Sequence, residues 1–336
     1  MSKSGPDINR LSAELKVQGI LDPVRLLRTD ERMSAHTTMR VGGPARIFAE
    51  PENEEEAIAL IIAARRCEIP YMVIGNGSNL VISDRGIDAL VICFSDGVSD
   101  VREISCTDLP GEPADRRGTK RPVDSNRLFY YAQAGALLSS VAARVARAGG
   151  AGMEFAGGIP GSIGGAVYMN AGAYGSEIAD VTAFIRVLDP DGIVRNYRID
   201  QSDMGYRSSR FSKSGGVVLS VFLMLSKDAP EAILERMSAL NAKRCACQPL
   251  QLPSSGSAFK RPCGHYAGAL IEQAGLKGFS IGGAQVSEKH AGFIVNSGDA
   301  TAQEVYELSR YIIRTVREQT GVTLEPEICF LGFDGN

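Results

Sequence analysis

The amino-acid sequence predicts an α+β protein, because stretches typical of strands and of helices are mixed without strict alternation. The 336 residues are too many for one small core and predict two or three packed units. Hydrophobic residues make up 44% of the chain, a globular value. A doubly wound dinucleotide fold is not expected, because GNGSNL lacks the G-x-G-x-x-G spacing and no suitable acidic residue follows.

The first hundred residues contain a polar helix, an entry segment (TTMRVGGPARIFAEP) and a run of helix and strands. Glutamates from Glu52 onward fill the first turns of a helix whose apolar body is 57–64 and which Pro70 ends. YMVIG, LVIS and LVICF then predict three strands, with GNGSN as the turn between the first two.

Residues 105–126 interrupt this rhythm with three prolines, many charges and no periodicity, and they predict an exposed, mobile loop. RLFYYAQAGA follows as strand and turn, and LLSSVAARVARAGG as a helix closed by glycine. AFIRVLDPDGIVRNYRI predicts a hairpin with D-P-D-G as its turn, and GGVVLSVFLML predicts another strand.

The composition shifts at Lys227, where APEAILERMSALNAKR predicts an amphipathic helix that leads into a new unit. A long helix is expected from Thr301, because Glu304 three residues on completes a capping box. Its apolar stripe and its stop at Gly321 support that prediction, and LEPEICFLG predicts a closing strand. The stripe consists of Val305, Leu308, Ile312 and Val316.

Charge and composition exclude several functions. Thirty-six basic residues balance 39 acidic ones, a net charge of −3, so nothing predicts a nucleic-acid partner. Signal-peptide and membrane-span patterns are missing, which predicts a cytoplasmic protein without membrane insertion. Seven cysteines without framework spacing predict reduced thiols. With three histidines, and with Cys245 and Cys247 only two apart, no metal site is expected.

Two glycine-rich stretches are the strongest candidates for a binding function. GNGSN (75–79) offers successive amides that can form a nest for an anion, with an ordinary β-turn as the alternative. GIPGSIGGAVYMNAGAYG (158–175) combines free backbone with apolar character, and its alternative is a loop packed closely on a sheet. Two such loops in one domain favour a clasp for the diphosphate of a flat, largely buried cofactor.

The order RVGGPA, GNGSNL, GIPGSIGGAVYMNAGAYG, YRSSRF, GSAFKRP and LEPE resembles the UDP-N-acetylenolpyruvoylglucosamine reductase family, also called UDP-N-acetylmuramate dehydrogenases. The resemblance extends from about Thr37 to Gly332. It implies a vanillyl-alcohol-oxidase (PCMH)-type FAD-binding domain of two subdomains over 37–226, after an N-terminal segment 1–36. A C-terminal α+β substrate domain then covers 227–336. Compared with the family pattern, the segment 105–126 is longer.

The resemblance also implies the activity. Members of the family use FAD, with NADPH as the source of electrons. They reduce the enolpyruvyl ether of UDP-N-acetylglucosamine to UDP-N-acetylmuramate in bacterial peptidoglycan precursor synthesis. The cofactor-binding residues that the family motifs imply are Gly42, Gly75, Asn76, Gly77, Ser78, Asn79, Gly158, Pro160, Gly161, Ser162, Gly164, Gly165, Asn170 and Gly172.

Such a reaction needs a cation aimed at the substrate carboxylate and a proton donor for the neighbouring carbon. The family motif assigns the first role to Arg207, whose guanidinium can hold a carboxylate bidentately. A surface salt bridge is the alternative. Arg210, expected one helical turn on, ranks below it.

The resemblance makes Ser257 the proton donor, and the charge of Lys260 would favour its alkoxide. Ser254 and Ser255 are expected to form a turn beside Gly256. Lys260, Tyr174 and Arg207 are the expected substrate contacts.

Glu327, and not Glu325, is the third catalytic residue that the resemblance implies. Pro326 between them is expected to put the two carboxylates on opposite faces of a strand. His290 is expected to be structural. Two alternatives to the reductase stay open, namely another flavin oxidase or dehydrogenase on the same scaffold and a non-catalytic module that binds flavin or UDP-sugars.

Overall fold

The computed structural model describes residues 7–111, 126–200 and 203–333. The described chain divides into two compact units. Unit 1 comprises residues up to 49, 63–92 and from 243 onward, and unit 2 comprises 50–62 and 93–242. Most of the predicted loop at 105–126 lies outside the described residues, although its first part contains a single 3₁₀ turn at Cys106–Asp108.

The helices and strands mix as an α+β chain requires. The helices are α1 (Ile8–Val17), α2 (Pro23–Leu26), α3 (Glu54–Arg66), α4 (Leu138–Arg147), α5 (Ile163–Tyr168), α6 (Phe211–Ser214), α7 (Pro230–Cys247), α8 (Ala267–Gln273) and α9 (Ala302–Thr320). The first ten strands are β1 (Leu27–Arg32), β2 (Pro44–Ala49), β3 (Tyr71–Ile74), β4 (Leu80–Ile82), β5 (Ile87–Cys93), β6 (Val101–Ile104), β7 (Arg127–Gln133), β8 (Gly150–Ala151), β9 (Gly172–Ala173) and β10 (Ser176–Glu177). The remaining strands are β11 (Thr182–Leu188), β12 (Val194–Arg198), β13 (Met204–Gly205), β14 (Ser208–Ser209), β15 (Val217–Lys227), β16 (Ser254–Ser257), β17 (Ser280–Ile281), β18 (Ala284–Val286), β19 (Phe293–Asn296) and β20 (Cys329–Leu331).

Unit 1 contains three sheets. One has the order β1-β2-β5-β3, one is the parallel pair β4-β20, and one is the antiparallel sheet β16-β19-β18-β17. Helix α9 buries its whole predicted stripe in the core of this unit. The predicted capping box of Thr301 and Glu304 is confirmed, and so is Gly321 as the left-handed C-cap residue. Asp84 in turn accepts the amides of Ala302 and Gln303 at 2.9 Å, which ties β4 to the start of α9.

Unit 2 is built on a sheet of the order β12-β11-β15-β7-β6, with β8 added beside β15. Strand β15 pairs with β7 over seven residues and with β11 through two register shifts. The predicted hairpin is confirmed as β11 and β12, with Gly192 in the turn at φ +82°. Helix α4 buries its apolar face, including Val141 and Val145.

The sequence missed β1, β2 and the helix inside the glycine-rich run. Strand β1 (LRTDER) has mostly exposed or half-buried side chains, so it carries no apolar alternation to predict it. Strand β1 is defined by its antiparallel hydrogen bonds to β2 and not by a hydrophobic pattern. The closing strand is shorter than expected, because only Cys329–Leu331 pairs, parallel to β4.

Candidate active site

The GNGSN loop joins β3 to β4 in unit 1 and folds into a form that only glycine permits at its centre. Gly77 has φ +58°, and a Cβ there would lie 2.0 Å from the His36 carbonyl oxygen. The Gly77 carbonyl accepts the amides of Thr38 and Leu80, each at 3.4 Å. Within the described residues, the backbone amides of Gly77, Ser78 and Asn79 donate to no protein group. Three consecutive free amides form a nest that suits a phosphate anion.

Gly42 is the other predicted cofactor residue of unit 1. Its φ is +132°, and a Cβ there would come within 3.2 Å of the Cβ atoms of Ile82 and Met33. Its carbonyl accepts the Ser34 amide at 3.2 Å. Gly42 therefore allows the chain before β2 to approach the end of β4 closely.

The second glycine-rich stretch lies in unit 2 and contains the short helix α5. Ser162 is its N-cap, and the Ser162 hydroxyl accepts the Gly165 amide at 3.3 Å. A Cβ on Gly164 would lie 2.8 Å from the Ala134 Cβ, so the close-packing interpretation holds at this position. In the described chain the amides of Gly161 and Ser162 donate to no protein group. Both predicted properties, close packing and free amides, therefore occur in one loop.

Arg207 lies at the tip of the β13–β14 hairpin of unit 2, with φ +52°. Its Nη2 donates to the Gly172 carbonyl at 3.2 Å, and its guanidinium lies 5.2 Å from the centre of the Tyr206 ring. Asn170, between α5 and β9, supports this hairpin. Its Nδ2 donates to the Gly205 carbonyl at 3.1 Å, and its Oδ1 accepts the Ala179 amide. The Asn170 amide thus binds protein groups at both ends and positions the Arg207 hairpin.

Tyr174 occupies the turn of the neighbouring β9–β10 hairpin, with φ +57° and 48% exposure. The Tyr174 hydroxyl donates to the Leu240 carbonyl at 3.3 Å. Gly172, in β9 of the same hairpin, has no room for a side chain, because a Cβ would lie 2.7 Å from the Ser176 carbonyl oxygen. Arg207 and Tyr174 therefore lie on two hairpins that the Arg207–Gly172 bond joins.

The expectation that Arg210 follows Arg207 by a helical turn is wrong. The two residues are separated by the short strand β14, because the chain reverses at Arg207. Arg210 pairs with Asp203 at 3.2 Å and stacks over Tyr197 at 4.3 Å. Arg210 thus forms a salt bridge within unit 2.

Ser257 ends β16 in unit 1, next to a β-bulge. Ser254 pairs with Val295 and Ser257 with Phe293, so β16 contains one residue more than β19 over this stretch. Gly256 absorbs the extra residue at φ +75°. The extra residue of a bulge shifts the alternation of side chains by one position. The bulge therefore determines on which face of the strand the Ser257 side chain lies. The expectation of a turn at Ser254 and Ser255 is wrong, since both lie in the strand and the Ser255 hydroxyl donates to the Leu80 carbonyl at 3.2 Å.

The Ser257 side chain itself is half-buried, and its hydroxyl has no hydrogen-bond partner within the described residues. The Ser257 hydroxyl can therefore hydrogen-bond a ligand.

The segment after Ser257 runs antiparallel to the segment that carries Glu327. The Glu327 amide donates to the Ala258 carbonyl at 2.9 Å, and the Lys260 amide donates to the Glu325 carbonyl at 2.8 Å. These backbone bonds flank an isolated bridge between Phe259 and Pro326. The pairing brings together three residues that the sequence singled out, Ser257, Lys260 and Glu327.

Glu325 and Glu327 differ in their surroundings. Glu325 is 69% exposed and forms an ion pair with Lys260, whereas Glu327 is half-buried. The argument from opposite strand faces is wrong, because residues two apart in an extended chain point to the same side. The difference in burial arises instead from what packs around each carboxylate.

His290 and Cys329 in the C-terminal part of unit 1 have shifted pKa values. Burial lowers the pKa of the His290 imidazole, whose Nδ1 accepts the Gly292 amide at 3.1 Å. Burial likewise raises the pKa of the Cys329 thiol. Both shifts favour the neutral form of the side chain.

Two family models match the chain. An FAD-binding domain matches residues 45–198, and the C-terminal domain of UDP-N-acetylenolpyruvoylglucosamine reductase matches residues 248–331. The reductase of Agathobacter rectalis is 46% identical over 91% of this chain and 94% of its own. The reductase of Caldanaerobacter subterraneus is 42% identical over 91% and 94%.

The chain belongs to the UDP-N-acetylenolpyruvoylglucosamine reductase family. A crystal structure of the family member from Thermus caldophilus is 35% identical, covers 91% of this chain and 99% of its own, and superposes with a TM-score of 0.71. As a member of this reductase family, the chain is an FAD-dependent oxidoreductase of peptidoglycan precursor synthesis, and its PCMH-type α+β fold is confirmed. None of the helices in the described ranges combines the length and apolar character that a membrane crossing requires.

The residues of each unit fit the flavin dinucleotide that the family binds. The free amides of the GNGSN nest and those of Gly161 and Ser162 are donors of the kind that a diphosphate needs. What the sequence missed is the side chain of Asn79, which does not face the nest but binds the Glu327 segment. The only sequence signal for that role is the polar side chain immediately before β4.

Proposed function

We propose that this chain reduces the enolpyruvyl ether of UDP-N-acetylglucosamine to UDP-N-acetylmuramate in the cytoplasm, with NADPH as the reductant. The observation that carries the proposal is the arrangement of Ser257, Lys260 and Glu327 in unit 1. The Ser257 hydroxyl, which has no protein partner among the described residues, lies at the start of a segment that backbone hydrogen bonds pair with the Glu327 segment. Family membership supplies the reaction, and this arrangement supplies groups suited to its proton transfer.

Negative charge develops on the substrate carboxylate during the reduction, so catalysis needs a cation there. Arg207 serves this role. Its Nη2 donates to the Gly172 carbonyl at 3.2 Å, and its planar guanidinium has the fork geometry that binds a carboxylate. The hairpin bonds of Asn170 and Gly172 hold the tip in place, so binding of the carboxylate requires little reordering.

The bound flavin supplies the hydride that the side chains of this chain cannot. The carbon next to the hydride acceptor then needs a proton, and the Ser257 hydroxyl donates it. A serine is a weak acid, so its alkoxide needs stabilisation. Lys260 provides positive charge nearby, since its partner Glu325 is largely exposed and such ion pairs are weak. Glu327 donates a hydrogen bond to the enolate when it is protonated, or acts on the enolate through a bridging water.

The cofactor contacts are part of the proposal. In unit 1 the amides of residues 77–79 are donors suited to the FAD diphosphate, and Gly42, Gly75 and Asn76 are further cofactor residues. In unit 2 the amides of residues 161–162 are donors of the same kind, and Gly158, Pro160, Gly164, Gly165 and Gly172 are further cofactor residues. The domains proposed are 37–226 for FAD and 227–336 for the substrate. Their support is the FAD-binding match at 45–198 and the reductase match at 248–331.

A direct experiment separates this function from an oxidase on the same scaffold. Purified protein with FAD should lose its yellow colour with NADPH under anaerobic conditions. Addition of the enolpyruvyl sugar nucleotide should restore the colour and yield UDP-N-acetylmuramate. Recolouring by oxygen alone, with no effect of the sugar nucleotide, would contradict the proposal and favour an oxidase.

The second alternative is a binding module without catalysis. That function predicts a protein that binds UDP-sugars in a calorimeter but shows no bleaching with NADPH. The backbone pairing of the Ser257 segment with the Glu327 segment argues for the enzyme.

A further inference from the structure

Asn79 makes three contacts with the segment that carries Glu327. Its Nδ2 donates to the Glu327 carbonyl at 3.0 Å and to the Cys329 thiol at 3.7 Å. Its own carbonyl accepts the Cys329 amide at 2.9 Å, at the start of the parallel β4–β20 pair. One asparagine thus binds the backbone on both sides of Ile328.

The other side of the Glu327 segment is held by the Ser257 segment. The Glu327 amide donates to the Ala258 carbonyl, while its carbonyl accepts from Asn79. The backbone of Glu327 is therefore fixed at both its donor and its acceptor. Of the two bonds, only the one from Asn79 comes from a side chain, so it alone can be removed by substitution without breaking a backbone pair.

Asn79 also belongs to the GNGSN nest. Its backbone amide is one of the three free donors of that nest, whereas its side-chain amide donates to the Glu327 segment. The backbone amide of Asn79 is thus available to an anion, and its side-chain amide binds the Glu327 segment. A side chain that simply lined a phosphate site would donate toward the nest.

We propose that Asn79 is a positioning residue for Glu327, which its side-chain amide holds in register with Ser257 for the proton-transfer step. The inference rests on the proposed function, because it assigns Asn79 to the step in which Glu327 and Ser257 act. Asn79 itself does not touch the reacting atoms. Its loss moves Glu327, and a misplacement of about 1 Å costs on the order of 100-fold in rate.

The test compares the two half-reactions in Asn79→Ala by stopped-flow absorbance, with FAD affinity measured separately by flavin fluorescence. Reduction of the flavin by NADPH should stay within a few-fold of wild type per bound flavin. Reoxidation by the enolpyruvyl sugar nucleotide should slow by about 10- to 100-fold. Equal slowing of both half-reactions, or a loss explained by flavin content alone, would overturn the proposal.

A double-mutant cycle with Glu327→Gln measures the coupling between the two residues in the rate of reoxidation. A merely structural role of Asn79 predicts no such coupling. If Asn79 acts through Glu327, Asn79→Ala should slow reoxidation far less in the Glu327→Gln background than in wild type. Additive effects would show that Asn79 acts elsewhere. Cys329→Ala is the matched control, because it removes the second acceptor of the same Nδ2 and should leave reoxidation within a few-fold.

Asn79→Asp keeps the size and shape of the side chain, replaces the Nδ2 donor with an acceptor oxygen and adds a negative charge. If Asn79→Ala fails to fold, the same measurements on Asn79→Asp decide the question, with slowed reoxidation in support and an unchanged ratio of half-reactions against. A wild-type protein inactive with the sugar nucleotide would instead refute the proposed function. That outcome is visible before any variant is made.

Discussion

Arg207 combines a strained backbone with a side chain that binds across two hairpins. Its left-handed φ of +52° directs the chain back into β14, and its Nη2 bond to Gly172 orients the guanidinium. A lysine at this position keeps the charge but loses the planar fork. Arg207→Lys therefore separates the contribution of the positive charge from that of the guanidinium geometry.

We expect Arg207→Lys to lower kcat/KM for the enolpyruvyl sugar nucleotide by about 10- to 100-fold, the scale of a lost hydrogen bond to a charged group. Steady-state kinetics with saturating NADPH measures this. Arg210→Lys is the control and should stay within a few-fold, since Arg210 pairs with Asp203 and stacks on Tyr197. The assignment of Arg207 fails if the two variants lose activity to the same extent.

His290 makes stability depend on pH. Burial lowers the pKa of its imidazole below the ordinary 6.5, so the unfolded chain takes up this proton first as pH falls. The free energy of unfolding should therefore decrease as pH drops from about 6.5 toward the lower pKa of the folded state. Urea unfolding at a series of pH values should show a shallower dependence in His290→Gln. Parallel curves for wild type and variant would rule out this role.

At the scale of elements, the bulge in β16 determines which way Ser257 faces. Gly256 carries it at φ +75°, and a Cβ there would meet no atom within 4 Å. Any effect of Gly256→Ala therefore comes from the backbone and not from a clash.

Gly321 offers a matched control for the bulge, because it has the same φ of +75° and the same open space, at the end of α9. Both alanine variants should lose about 1–2 kcal/mol in the free energy of unfolding. Only Gly256→Ala should also slow reoxidation of the flavin by the sugar nucleotide. Equal activity of the two variants would mean that the bulge does not position Ser257.

Elements with strong local signals were predictable from the sequence, and elements made by pairing were not. Helix α9 has a cap, a stripe and a glycine stop, and all three are confirmed. Strand β1 and the pairing of the segment after Ser257 with the Glu327 segment depend on partners distant in sequence, which no local pattern encodes. For the same reason the resemblance could assign roles to Ser257 and Glu327, but the contact of Asn79 with the Glu327 segment emerged only from the fold.

At the scale of the whole molecule, we expect that none of the seven cysteines takes part in catalysis. None of the seven, all within the described residues, forms a disulfide, and Cys67 and Cys93 are buried. Replacing all seven with serine or alanine should cost stability through packing. Turnover per bound flavin should stay within a few-fold, measured on folded protein. A variant that keeps the two buried residues, Cys67 and Cys93, avoids most of the loss of packing. A collapse of turnover in that variant would implicate one of the five replaced thiols in catalysis.

The central claim is that Ser257 donates the proton in the second half-reaction. Stopped-flow absorbance on Ser257→Ala tests it most directly. Flavin reduction by NADPH should proceed nearly as in wild type, because no proton from Ser257 enters that step. Reoxidation by the enolpyruvyl sugar nucleotide should slow by roughly 100-fold or more, the scale of general acid catalysis, and Ser257→Cys should retain more activity than alanine. Equal slowing of both half-reactions, or slowing of neither, would contradict the account.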